Sequence, residues 1–161
     1  MQGRMRQAGL WVVVIGILVV FGGVAFGQSN SDVGTWTLNV AKSKYSPGPA
    51  PKSANTKIEA AGAGVKVTVD QVFPDGTRHW EYTANNDGKD VRVVGNNPDG
   101  DMIARTRINA TTVETVNKKG GKATITNTSV ISSDGKTRTV TTKGTNARGQ
   151  VVNNVAVYEK Q

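Results

Sequence analysis

Along most of this chain, polar and apolar residues alternate one for one. Val65-Lys66-Val67-Thr68-Val69-Asp70 does so, and so does His79-Trp80-Glu81-Tyr82-Thr83. A period of two sends successive side chains to opposite faces of a strand, one toward a core and one toward water. No stretch after residue 28 sustains the longer period of an amphipathic helix. Turn signals separate the alternating segments: Asp75-Gly76, Asp87-Gly88 and Asp99-Gly100 recur at twelve-residue intervals, and Gly120-Gly121, Asp134-Gly135 and Arg148-Gly149 continue the beat. Asp-Gly supplies the positive backbone angles of tight hairpins. The pattern predicts strands near 34–40, 56–62, 65–73, 78–85, 90–95, 102–109, 112–117, 122–132, 136–143 and 151–159. Short strands joined by consecutive tight turns form a meander, and a meander loses its exposed edges only by closing on itself. The expected fold is therefore all-β: one antiparallel, up-and-down meander β-barrel of about eight to ten strands.

Two segments break the alternation. Residues 41–55 carry Pro47, Pro49 and Pro51, which forbid a regular helix and favour an extended crossing. This segment reads as an irregular connector, or as a strap over an opening of the domain. The other exception is the N-terminus. Arg4 and Arg6 precede an unbroken apolar run from Leu10 to Phe21, and Ala25 and Gly27 precede a polar switch at Gln28. That order matches a secretory signal peptide, a signal helix over residues 1–27 cleaved after Gly27. The alternative is an uncut N-terminal membrane anchor, since Ala8 to Gly27 approaches the length of a bilayer span. Three glycines at the end of the run and the small residues at the exit favour cleavage. The expected compartment is periplasmic or extracellular, with no stable membrane span after cleavage.

The remainder, residues 28–161, is about 134 residues, one domain of ordinary size. It contains no cysteine, so neither a disulfide nor thiolate chemistry supports it. The net charge of the whole chain is +8, and removing Arg4 and Arg6 takes it to +6. The basic residues are scattered in an exported chain, so nucleic acid is not an expected partner.

With the strands laid out, two motifs stand at the ends of the barrel. Gly34-Thr35-Trp36 on the first strand resembles the G-x-W motif of the calycins, the lipocalin and fatty-acid-binding-protein superfamily. Val155-Ala156-Val157-Tyr158-Glu159-Lys160 resembles the closing strand of the intracellular fatty-acid-binding proteins. The region from Asn39 to Ser53 also resembles a group of small exported bacterial lipocalin-like proteins, a likeness that brings no activity with it. The resemblance implies a barrel with Gly34 and Trp36 at one closed end and room inside for a small apolar molecule. It departs from the family in three places. Fatty-acid-binding proteins carry a two-helix lid where this chain has its prolines. They bind the ligand carboxylate through an arginine two residues before the last-strand tyrosine, where this chain has Ala156. Lipocalins carry a C-terminal helix, which this chain lacks.

Candidate chemistry is sparse. Trp80 and Tyr82 share one face of their strand and, with Met102 and Tyr158, are the candidates for a ligand-lining wall. On the strand from Met102, burial preferences place Arg105 and Arg107 toward solvent and Met102, Ala104 and Thr106 opposite them. His79 is the only histidine. One histidine without cysteine is a poor start for a metal site, and no base besides it stands ready for a serine or threonine nucleophile. Asp87, Asp90, Asp99 and Asp101 fall in turn segments without an EF-hand spacing. No catalytic residue, metal or cofactor is expected. The expected function is non-catalytic binding of a small, largely apolar ligand. The alternative is a barrel filled by its own side chains that acts through its surface as an envelope-associated protein-interaction module.

Overall fold

The structure, a computed structural model, describes residues 31–161. The expected signal segment and its cleavage point lie outside the described residues. Within them the chain is all-β, with eleven strands: β1 (Gly34–Lys44), β2 (Ser53–Ala61), β3 (Gly64–Phe73), β4 (Gly76–Ala84), β5 (Asp87–Arg92), β6 (Val94–Gly95), β7 (Met102–Arg107), β8 (Thr112–Lys119), β9 (Lys122–Ile131), β10 (Thr137–Thr145) and β11 (Val151–Lys160). All pairings are antiparallel, in the order β5-β7-β8-β9-β10-β11-β1-β2-β3-β4-β6.

Two pairings close this sheet. β11 returns to β1, bringing Trp36 opposite Lys160 and Leu38 opposite Tyr158. β5 and β6 are one length of chain interrupted at Val93, with β5 paired to β7 and β6 paired to β4. This single segment bridges both ends of the sheet, so the barrel is nearly closed. The expectation of eight to ten strands becomes eleven because residues 87–95 serve two neighbours in turn. Gly95 makes the second pairing possible. Its φ is +107°, and a Cβ there would collide with the backbone of His79.

The turn beat is visible in the hairpins at Asp75-Gly76, Gly120-Gly121, Asp134-Gly135 and Arg148-Gly149. Asp87-Gly88 is a correction, because it lies at the start of β5 and not in a turn. Asn86, with φ +61°, makes the reversal instead; asparagine tolerates that angle because its short amide can bond locally.

The connector is shorter than expected. β1 continues to Lys44 through a register shift between Asn39 and Lys44. Ser43 stabilises the irregular stretch: its hydroxyl donates to the Asn39 carbonyl (2.7 Å) and accepts from the Val157 amide (3.0 Å). The proline segment therefore spans only residues 45–52. Alternate residues face inward throughout, and Trp36, Ile58, Val65 and Ile103 are at most 2% exposed. The outward positions hold Lys57, Glu59, Lys66, Asp70 and Glu81, unlike the apolar band that a membrane barrel turns to lipid.

Candidate functional site

Inside the barrel lies a cavity of about 310 Å³. Its mouth is ringed by Tyr45, Pro47 and Pro49 of the connector, by Phe73 and Arg78 at the β3–β4 turn, and by Arg148 before β11. The proline segment thus borders the opening, as the strap reading anticipates. Arg78 lies over the Phe73 ring, 3.8 Å from its centroid, and pairs with Asp75 at 3.0 Å.

The two halves of the wall differ in chemistry. β2 to β4 contribute Ile58, Val67, Val69, Trp80 and Tyr82, a largely apolar surface. β8 to β11 contribute Thr115, Asn117, Asn127, Ser129, Thr142 and Asn154 interleaved with aliphatic residues such as Ile125 and Val140, a more polar surface. Part of this polar half satisfies itself. Thr142 donates to Asn127 (2.7 Å), and Asn97 donates to Asn117 (2.9 Å). A molecule in this space meets hydrocarbon on one side and hydrogen-bonding groups on the other, the combination that gives small-molecule sites both affinity and orientation.

The far end is sealed by charge. Trp36 is fully buried, and its indole Nε1 donates to the Asp32 carbonyl at 2.8 Å. The Asp32 carboxylate accepts from Arg105 and, at 2.9 Å, from Arg107. Arg105 also donates to the Asn86 side chain. Burial pushes the Asp32 carboxyl up, but the charges and hydrogen bonds of Arg105 and Arg107 outweigh it and hold the pKa below the usual value of 3.8. The ε-ammonium of Lys160 closes the outside of this end, 5.2 Å from the Trp36 ring. Gly34 makes room for it, since a Cβ there would lie 2.6 Å from Lys160 Cε.

A second, half-buried cation stands above this plug. Arg138 of β10 sits opposite Tyr158 of β11. Its Nε donates to Ser129 Oγ (2.7 Å), and its guanidinium lies 5.6 Å from the Tyr158 ring centroid. It makes no ion pair with any carboxylate of the described residues. Burial presses its pKa below the ordinary arginine value, yet an arginine stays charged in proteins. Tyr45, Tyr82 and Tyr158 line the same cavity, and their hydroxyls make no hydrogen bond among the described residues. Burial raises the pKa of Tyr45 and of Tyr158, so both remain hydrogen-bond donors at neutral pH.

Of the four candidates for the lining, Trp80, Tyr82 and Tyr158 line the cavity and Met102 does not. On β7 the inward face belongs to Ile103 and Arg105, which reverses the expected orientation of that strand. Arg105 is 3% exposed. Its inward placement is possible because Asp32, from the polar lead before β1, supplies a counter-charge. Nothing local to β7 announces that partner. Arg138 was equally absent from the expectations. Its signal is the alternation of β10, where Arg138 shares a face with Val140 and Thr142. His79 lies on the outer face, its Nδ1 2.6 Å from Asp70. Among the described residues, no cluster of three or more His, Asp or Glu side chains could hold a metal ion. No protein-family profile, curated protein or solved structure matches this chain.

Proposed function

We propose that this chain is exported, loses residues 1–27, and acts as a non-catalytic barrel that holds one small, largely apolar molecule. The observation that carries this reading is the interior cavity of about 310 Å³, open at one end and within the size range of small-molecule sites. It speaks for a carrier over a barrel filled by its own side chains. The aromatic and aliphatic wall from β2 to β4 provides burial for an apolar body, and the amide and hydroxyl groups from β8 to β11 orient it. Gly34-Thr35-Trp36 and the closing strand around Tyr158 support kinship with the calycins, whose barrels have the same general plan.

The test uses Nile red, a neutral dye whose emission shifts to the blue in apolar surroundings. Saturable binding near one dye per chain is expected. Ala156→Phe, which places a ring in the cavity beside Tyr158, should weaken it at least about tenfold. Dye binding that survives Ala156→Phe unchanged would place the dye on the outer surface and contradict the reading.

A further inference from the structure

We infer that the ligand has a hydroxyl-rich end, as a glycoside does, and that one row of amide and hydroxyl side chains across β8 to β11 receives it. The inference rests on the carrier reading and adds the chemistry of the ligand's polar end to it.

Strand register builds the row. Thr115 stands opposite Asn127, Asn127 opposite Thr142, and Thr142 opposite Asn154. All of them line the cavity, so successive strands present a polar side chain at one level, about 4.8 Å apart. The levels on either side are largely aliphatic. Val113, Ser129, Val140 and Ala156 form the next row toward the closed end. On the mouth side, Ile125 and Val152 flank Gly144. The amides and hydroxyls therefore form a narrow band between apolar rows.

Hydrogen bonds fix what this band offers. Thr142 Oγ1 donates to Asn127 Oδ1 at 2.7 Å, and Asn154 Oδ1 accepts from the Ser46 amide at 2.8 Å. Both amide carbonyls are engaged, while neither NH2 group makes a hydrogen bond among the described residues. With its proton given to Asn127, the Thr142 oxygen keeps acceptor capacity. Across β9, β10 and β11 the row thus reads donor, acceptor, donor. Among the described residues every fully buried side-chain nitrogen or oxygen has a partner, so the unpaired groups of this row open onto the cavity.

That alternation selects a chemistry. A carboxylate only accepts and leaves Thr142 unmatched. An ammonium only donates and leaves both amides unmatched. A hydroxyl does both, and neighbouring hydroxyls of a sugar ring present donors and acceptors along one edge. The opposite wall suits the rest of such a ring. Trp80 of β4 lies half-way round the sheet from β10 and lines the same cavity. The apolar C–H face of a pyranose covers an indole ring, which has a large area to bury. An alkyl chain on the sugar then continues past Val140 and Ala156 into the aliphatic row below.

Calorimetric titration at pH 7 with butyl β-D-glucoside and 2-butoxytetrahydropyran tests the site, the second compound being the same ring and chain stripped of hydroxyl and hydroxymethyl groups. Wild type is expected to bind the glucoside at least about tenfold more tightly, because a site built to bond hydroxyls rejects the analogue that lacks them. In the double variant Asn127→Leu/Thr142→Val that preference should vanish through loss of glucoside affinity, with binding of the stripped ring kept. Replacing both partners of one hydrogen bond leaves no orphan, so the variant should fold. Thr115→Val is the second test should it misfold, and should cut glucoside affinity severalfold without touching the stripped ring. Equal affinity for the two compounds, or a preference that survives the double variant, overturns the hydroxyl site and leaves the carrier standing. Failure of both compounds to bind at millimolar concentration overturns the site alone where Nile red still binds, and overturns both readings where Nile red fails too.

Discussion

Asp32 carries an unusual share of the structure for a residue that precedes the first strand. Its carbonyl holds the indole of Trp36, and its carboxylate holds two arginines from β7. Removing one partner of a buried ion pair leaves the other uncompensated, so Asp32→Asn should destabilise the fold by about 3–5 kcal/mol in denaturant titration. A loss under about 1 kcal/mol would show that the plug is marginal to stability. The pH dependence has a definite sign. The folded-state pKa of Asp32 lies below the unfolded one, so its contribution is present above the unfolded value near 3.8 and is lost as pH falls through the folded value. Acid unfolding of the wild type should therefore have a component below pH 3.8 that Asp32→Asn lacks. At this scale the sequence was legible where a residue's type decides its place. Trp36, Trp80, Tyr82 and Tyr158 face inward because large aromatic side chains carry much of a small core's burial. It misled where a distant partner decides. Arg105 looks solvent-facing until Asp32, 73 positions away, is brought to it, and with Arg105 inward the alternation of β7 carries Met102 to the outer face.

Among the elements, the closure between β4 and β6 is the weakest pairing. It aligns two residue pairs, Trp80 with Gly95 and Glu81 with Val94, where β10 and β11 align nine. In hydrogen exchange the β4 and β6 amides at this seam should lose protection before those of β10 and β11, because sparse pairing opens at lower free energy. Uniform protection around the barrel would contradict that ranking. Gly95→Val should destabilise by about 1–3 kcal/mol in thermal or denaturant unfolding, through the strained backbone angle and the collision with the His79 backbone. An unchanged midpoint would mean that the seam relaxes without cost. Most strands were readable because alternation and glycine turns are local signals. The seam was not, since a strand that changes neighbour at Val93 looks like any other run of alternating residues. The extension of β1 to Lys44 was hidden for a related reason: its irregular register is stabilised by Ser43 contacts with β11, which no window of sequence contains.

For the whole molecule the decisive feature is that inward-facing side chains do not fill the barrel. Small and polar residues on β8 to β11, together with Ala156, leave the space that larger residues on β2 to β4 border. A barrel could be read from the order of strands and turns. Whether it was hollow depended on how facing side chains sum in volume across the interior, which alternation alone does not encode. The measurement that bears most directly on the account is native mass spectrometry of the protein, purified from its own cells without detergent. The account predicts a discrete added mass, near one small molecule per chain, that disappears on denaturation. The bare mass of the polypeptide, from preparations made gently enough to keep a bound molecule, would contradict it.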